Sequence, residues 1–113
     1  MDCSIFRYMS NDETKEIERY AEMFKALSNP NRLKIFLRLI TCCPPGTIHS
    51  LEAGTGSCVG ELGKELEVVP STVSHHIKEL HRAGLIRMRR NGQRIECWVD
   101  AQALKDLSQF FSR

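Results

Sequence analysis

No stretch of this 113-residue chain approaches the roughly 18 consecutive apolar residues that a membrane span needs. Its opening, MDCSIFRYMS, lacks the charged-then-apolar order of an export signal, so a cytoplasmic protein with no membrane partner is expected. Repeats and low-complexity tracts are absent as well, which argues against solenoids and arrays. There is no glycine-rich phosphate loop, no His-Glu-x-x-His box and no convincing nucleophile–base pair, so the chain is not expected to be an enzyme. A Cys58 nucleophile with a histidine base is the available enzyme reading, but three of the four histidines cluster at positions 75, 76 and 81.

Length and charge bound the rest. A chain of this size builds one modest core, and 42% hydrophobic with 27% charged residues is ordinary for a globular domain. The net charge of +2 is unevenly spread. Residues 70–94 carry Lys78, Arg82, Arg87, Arg89, Arg90 and Arg94 against Glu79 alone, a balance of +5. Residues 1–69 carry eight basic and ten acidic side chains, a balance of −2. A basic footprint confined to under a quarter of the chain suits a polyanionic partner, although a solvated helix face would have the same composition. Five cysteines, an odd number in a chain with no sign of export, read as thiols rather than structural disulfides.

Local patterns give the elements. Residues 1–11 read as a flexible arm and residues 12–113 as a single domain. From Asp12 to Leu27, Ile17, Tyr20, Phe24 and Leu27 keep a helical period, with acidic residues in the first turn. Asn29 then caps, and Pro30 opens, a second helix, NRLKIFLRLI. That helix is apolar at Leu33, Ile35, Phe36, Leu37, Leu39 and Ile40, which places most of its circumference in the core. CCPPG stops it. Residues 41–57 have no clear period and read as a long loop. A short helix at 58–66, a turn at Val68–Val69 and a helix opened by Pro70 and closed by Gly84 follow. Leu85–Arg89 and Arg94–Val99 read as strands joined around Asn91–Gly92, and a last helix runs over 101–111.

Two helices in tandem followed by a hairpin is the order of a winged helix-turn-helix. The fold class is mainly α with a small β-hairpin, about five helices and a two-stranded wing. In the second helix of the pair, Val73, Ile77 and Leu80 anchor one face to the core. The other face presents Ser71, Thr72, Ser74, His75, His76 and Lys78 to base edges and phosphates, with Arg82 at its end. His81 belongs to the solvated side. The wing tip supplies Arg89, Arg90, Gln93 and Arg94 for phosphate or minor-groove contact. Double-stranded DNA is therefore the expected partner, and no cofactor is required for binding it. A winged-helix protein-interaction module would share the fold without the basic face.

From Met23 onward the chain resembles the ArsR/SmtB group of small bacterial metal- and metalloid-responsive repressors. FKALSNPNRLKIFLRL is similar to the opening helices of that group, CVGELGKEL to its first helix-turn-helix segment, and STVSHHIKELHRAGLI to its recognition helix. The resemblance implies a homodimer, paired through its first and last helices, that binds a roughly palindromic operator and is released by an inducer. Apolar stripes on helices 12–27 and 101–111 agree with a dimer. The cap of the recognition helix, usually Ser or Thr in the group, is Val69 here, with Pro70 in partial compensation.

Two effector sites of the group can be compared residue by residue. The zinc site on the last helix needs histidine, and DAQALKDLSQFF has none. The Cys-x-Cys-x-x-Cys box for trivalent arsenic or antimony keeps Cys58 but has Gly60 and Gly63 at its other positions. Thiol chemistry then falls to Cys42, Cys43 and Cys58. If the intervening loop folds back, these three converge near a helix N-terminus that favours the Cys58 thiolate and together bind As(III) or a similar thiophile as inducer. A redox- or persulfide-sensing repressor is the alternative. Incidental burial of the cysteines is the plainer one. Cys3 reads as a spectator, with reach across a dimer as a further ligand the alternative, and Cys97 reads as packing beside Trp98. His49 either completes a Cys/His zinc set or faces solvent.

Overall fold

The computed structural model describes residues 11–51 and 58–112. In chain order the elements are α1 (Asn11–Leu27), α2 (Pro30–Cys42), β1 (His49–Ser50), α3 (Cys58–Leu66), α4 (Pro70–Arg82), β2 (Ile86–Asn91), β3 (Arg94–Val99) and α5 (Ala101–Phe111). Five helices and an antiparallel hairpin form a winged helix-turn-helix, as the patterning predicts. Of the arm expected at 1–11, residues 1–10 lie outside the described residues, and Asn11 already opens α1.

Helix starts follow their capping chemistry. Asn29 Oδ1 accepts from the backbone N–H groups of Asn31 at 2.9 Å and Arg32 at 3.1 Å, and Pro30 occupies the next position. Asp100 caps α5 in the same way, accepting from the backbone N–H groups of Gln102 and Ala103. At the end of α4, the Gly84 N–H donates to His81 O and the Leu85 N–H to Leu80 O, both at 3.0 Å. These paired bonds reverse the chain at Gly84, whose φ of +84° a side chain would strain.

The core is built where α2 and α4 cross, with β2, β3 and α5 closing over it. Ile35, Phe36 and Leu39 of α2 meet Val73, Ile77 and Leu80 of α4, and Leu85, Ile86, Cys97 and Val99 complete the cluster. Two helical stripes differ from expectation. On α2, Leu33 and Leu37 are 48% and 54% exposed, so this helix is amphipathic rather than apolar all round. On α1 the core-facing residues are Tyr20, Met23 and Ala26, while Ile17 stays exposed and Phe24 is half-buried. Composition shows how apolar a helix is, but not which of its sides has a neighbour.

Residues 41–51 are more ordered than the loop expected over 41–57 allows. Helix α2 runs on to Cys42, and Pro44 O accepts both the N–H and the hydroxyl of Thr47, closing a turn. Strand β1 then pairs with β3, His49 opposite Cys97 and Ser50 opposite Glu96, with Leu51 N–H donating to Ile95 O. The wing sheet therefore has three strands in the order β1-β3-β2. Residues 52–57 lie outside the description. The β2–β3 register puts Asn91 opposite Arg94, which leaves Gly92–Gln93 as the turn, one residue later than the sequence suggests.

Candidate nucleic-acid interface

The presentation of α4 is fixed by its buried side. Val73, His76, Ile77 and Leu80 recur at helical spacing and are all buried, Ile77 and Leu80 fully. The opposite side exposes Ser71, His75, Lys78 and Arg82, spaced to lie in one row, with Thr72 and Ser74 half-buried along its flank. The helix begins without a side-chain cap, since Val69 offers only its carbonyl to Thr72 N–H and Val73 N–H. Pro70 removes one of the donors that such a cap would serve.

His76 does not join the row. It is 8% exposed, sits on the core side of α4, and its Nδ1 has no hydrogen-bond partner. Burial is the largest cause holding its pKa below the usual histidine value, electrostatic repulsion from Arg32 and then His75 adds to the effect, and Glu79 opposes it. The neutral imidazole is thus the resting form. His81 serves the fold: its ring Nδ1 lies 2.9 Å from Ile86 O, and a carbonyl can only accept, so Nδ1 carries the proton.

The wing is less uniformly basic than its own sequence window implies. Arg87 is paired with Asp100 at 3.0 Å, and Arg89 with Glu96 at 2.9 Å while its guanidinium covers the Trp98 ring at 5.3 Å. Arg82 is paired with Glu79 at 3.1 Å. Lys78, Arg90, Arg94 and Gln93 are exposed, and among the described residues no carboxylate stands at ion-pair distance from Lys78, Arg90 or Arg94. The acidic partners of the wing come from β3 and the α5 cap, just beyond the basic stretch.

The thiol residues divide in two. Cys42 and Cys43 come together at the end of α2, their Sγ atoms 3.2 Å apart, with the Cys42 thiol 3.8 Å from Leu39 O. Cys58 opens α3, but its side chain lies outside the description, as does Cys3. Cys97 is fully buried on β3 between His49 and Met88, in agreement with a packing role. Burial lowers the pKa of half-buried His49. Gly63, at the last position of the absent cysteine box, approaches Val68 O so closely that a Cβ there would lie 3.3 Å from it. The third thiolate of that box would therefore crowd the helix-turn-helix turn.

A helix anchored along one side, exposing hydroxyl, imidazole and ammonium groups on the other and followed by a basic-tipped hairpin, defines a winged helix-turn-helix regulator of transcription. Comparison with known proteins sharpens the class. Residues 27–89 match the family described as Helix-turn-helix domain. The chain is 35% identical to the HTH-type transcriptional regulator YbzH of Bacillus subtilis, over 79% of this chain and 91% of that one. It is also 35% identical to the arsenical resistance operon repressor of Bacillus subtilis, over 72% of this chain and 68% of the relative. Among solved structures it resembles a "homodimeric winged helix-turn-helix DNA-binding domain" of Mycobacterium bovis, with a TM-score of 0.60 and 20% identity over 92% and 84% of the two chains. The chain belongs to the ArsR family of winged helix-turn-helix transcriptional regulators. Among the described residues no helix is long and apolar enough to cross a membrane.

Proposed function

We propose that this regulator is a cytoplasmic homodimeric repressor that holds an operator through α4 and the wing and is released by a thiophilic inducer. The observation that carries the DNA-binding reading is the row Ser71, His75 and Lys78 on a helix whose other side is locked into the core. Ser71, Thr72, Ser74 and His75 supply base-edge or sugar–phosphate contacts, and Lys78, Arg90, Gln93 and Arg94 supply phosphate contacts.

Two copies are required because a single module gives modest affinity. The pairing surface is the aromatic cluster where α1 meets α5. Phe110 contacts Tyr20 and Phe24 with ring centroids 4.8 and 5.3 Å apart, and Phe111, 71% exposed, extends the patch. The Mycobacterium relative is itself a homodimer.

The inducer reading rests on Cys42 and Cys43 in contact at the end of α2, with Cys58 as the third thiolate for As(III) or Sb(III). The same contact would let the pair close to a disulfide, so a redox or persulfide signal is the competing input.

The test is fluorescence anisotropy of the reduced protein on DNA from upstream of its own gene, titrated with arsenite without oxygen. Release that disappears in Cys42→Ser and Cys43→Ser is the expected result. Binding that arsenite leaves intact would retain the DNA reading, reject the metalloid inducer and turn the titration to oxidants and persulfides. Absence of salt-dependent DNA binding would leave a protein-interaction module.

A further inference from the structure

We infer that the cleft where α1, α2 and α4 meet is a site for a free α-amino acid, its carboxylate held by Arg32 and Lys25 and its ammonium by Glu22. The cleft offers about 400 Å³, and its charged lining is Glu22 and Lys25 of α1, Arg32 of α2, and Glu79 and Arg82 of α4. The apolar part of the lining is the small Ala26 and Ala83, so the cleft suits a small polar molecule rather than a bulky aromatic one.

Its charges divide into paired and unpaired. Glu79 is paired with Arg82 at 3.1 Å. Among the described residues no ion-pair partner stands within reach of Glu22, Lys25 or Arg32. Arg32 is half-buried and already oriented, because its Nε donates to Ala26 O at 2.8 Å. Its two terminal nitrogens can then fork onto a planar carboxylate. Glu22 and Lys25 stand three residues apart on α1, a spacing that places their Cβ atoms about 5–6 Å from one another. A simple anion here would meet Glu22, and a simple amine would meet Lys25 and Arg32. A molecule with both charges on one carbon satisfies all three.

The position of the cleft links it to the recognition helix. His76 precedes Glu79 by three residues and Ala83 by seven, which puts it on the same side of α4 as the cleft lining. It lies within electrostatic reach of Arg32, and its buried Nδ1 has no partner. A ligand bound here ties the junction of α1 and α2 to the end of the helix that exposes Ser71, His75 and Lys78. Occupancy therefore biases the seating of α4 and, through it, DNA affinity. That consequence rests on the DNA-binding reading above, whereas the site does not. Glu22 and Lys25 turn away from Tyr20 and Phe24 around α1, so pairing through the aromatic cluster leaves the cleft open.

The experiment adds each proteinogenic L-amino acid singly to the reduced full chain and follows the His76 ring resonances by NMR. Acetate and methylamine, which carry one charge each, serve as controls. At least one amino acid should bind with a Kd of about 1 mM or tighter, and both controls at least about tenfold more weakly. Lys25→Gln and Arg32→Lys should each weaken amino-acid binding at least about tenfold, the latter by removing the fork while keeping the charge. Glu22→Gln should weaken amino-acid binding but strengthen that of acetate, a reversal that loss of structure does not produce. Circular dichroism and light scattering establish that each variant keeps the fold and oligomeric state of the parent. No His76 response to any amino acid, or binding that Glu22→Gln and Arg32→Lys leave unchanged, overturns the site. DNA anisotropy at saturating amino acid should change affinity by at least about fivefold. A bound amino acid that leaves DNA affinity unchanged refutes the coupling, whereas a parent that binds no DNA refutes the regulator reading and leaves the site standing.

Discussion

Charge pairing within the wing makes an uncommon prediction about salt. Lys78, Arg90 and Arg94 lack carboxylate partners among the described residues, whereas Arg87 and Arg89 are held by Asp100 and Glu96, both largely shielded from solvent. Each of these five residues contributes one positive charge, so replacing any of them by alanine changes the net charge equally. The account separates them by contact. A cation that neutralises one phosphate contributes about 0.9 to the slope of log K against log salt. Removing Lys78 or Arg94 from both subunits of a dimer should therefore flatten the slope by about 1.8. Between about 50 and about 200 mM salt the variant would then lose roughly tenfold less affinity than the parent. Arg87→Ala and Arg89→Ala should change the slope by less than about half as much, since their charge is already spent on a carboxylate. Anisotropy titrations on one duplex at four or more salt concentrations measure this directly. Equal slope changes for Arg89→Ala and Arg94→Ala would refute the division of the wing into paired and DNA-facing arginines.

Three further consequences concern stability and assembly. Ile77 is fully buried at the centre of the α4 anchor, so Ile77→Ala should cost about 2–5 kcal/mol in urea unfolding, and a loss below about 1 kcal/mol would contradict the anchoring role. His76 has a folded pKa below its ordinary value of 6.5, so the unfolded chain binds more protons as pH falls. The stability it permits is complete above about pH 6.5 and declines below it, by no more than about 1.4 kcal/mol per pH unit, with His49 acting in the same direction. His76→Leu should reduce that decline between about pH 7.5 and about pH 5.5; an unchanged decline would show that another group governs it. Phe111→Glu should turn the dimer into a folded monomer on light scattering, since losing two buried phenyl rings at about 1.5 kcal/mol each weakens pairing at least about 10²-fold. An unchanged mass would place the interface elsewhere.

The recognition module was legible because its signals are local. Asn29 and Pro30 start α2, Pro70 starts α4, and Gly84 ends it by a bond pattern that needs only neighbouring residues. The three apolar positions 73, 77 and 80 were enough to identify the buried side. His76 lies three residues from Val73 and four from Leu80, so the same arithmetic applied to the adjacent histidines separates buried His76 from exposed His75. What escaped is non-local. Strand β1 is two residues long, too short to show alternation, and exists through pairing with a strand more than forty residues later. The acidic partners of Arg87 and Arg89 stand across the hairpin, outside the window in which the charge was counted. Leu33 and Leu37 look like core residues by type but stay exposed, because the core-facing side of α2 is the one that carries Ile35, Phe36 and Leu39.

The most direct test of the central claim, that α4 reads DNA, compares the parent with His75→Ala on DNA from upstream of the gene and on a scrambled duplex, at one physiological salt concentration. The account predicts that the parent prefers the upstream duplex by at least about 10³-fold, and that His75→Ala loses part of this preference while binding the scrambled duplex as before. Equal affinity of the parent for both duplexes would contradict it.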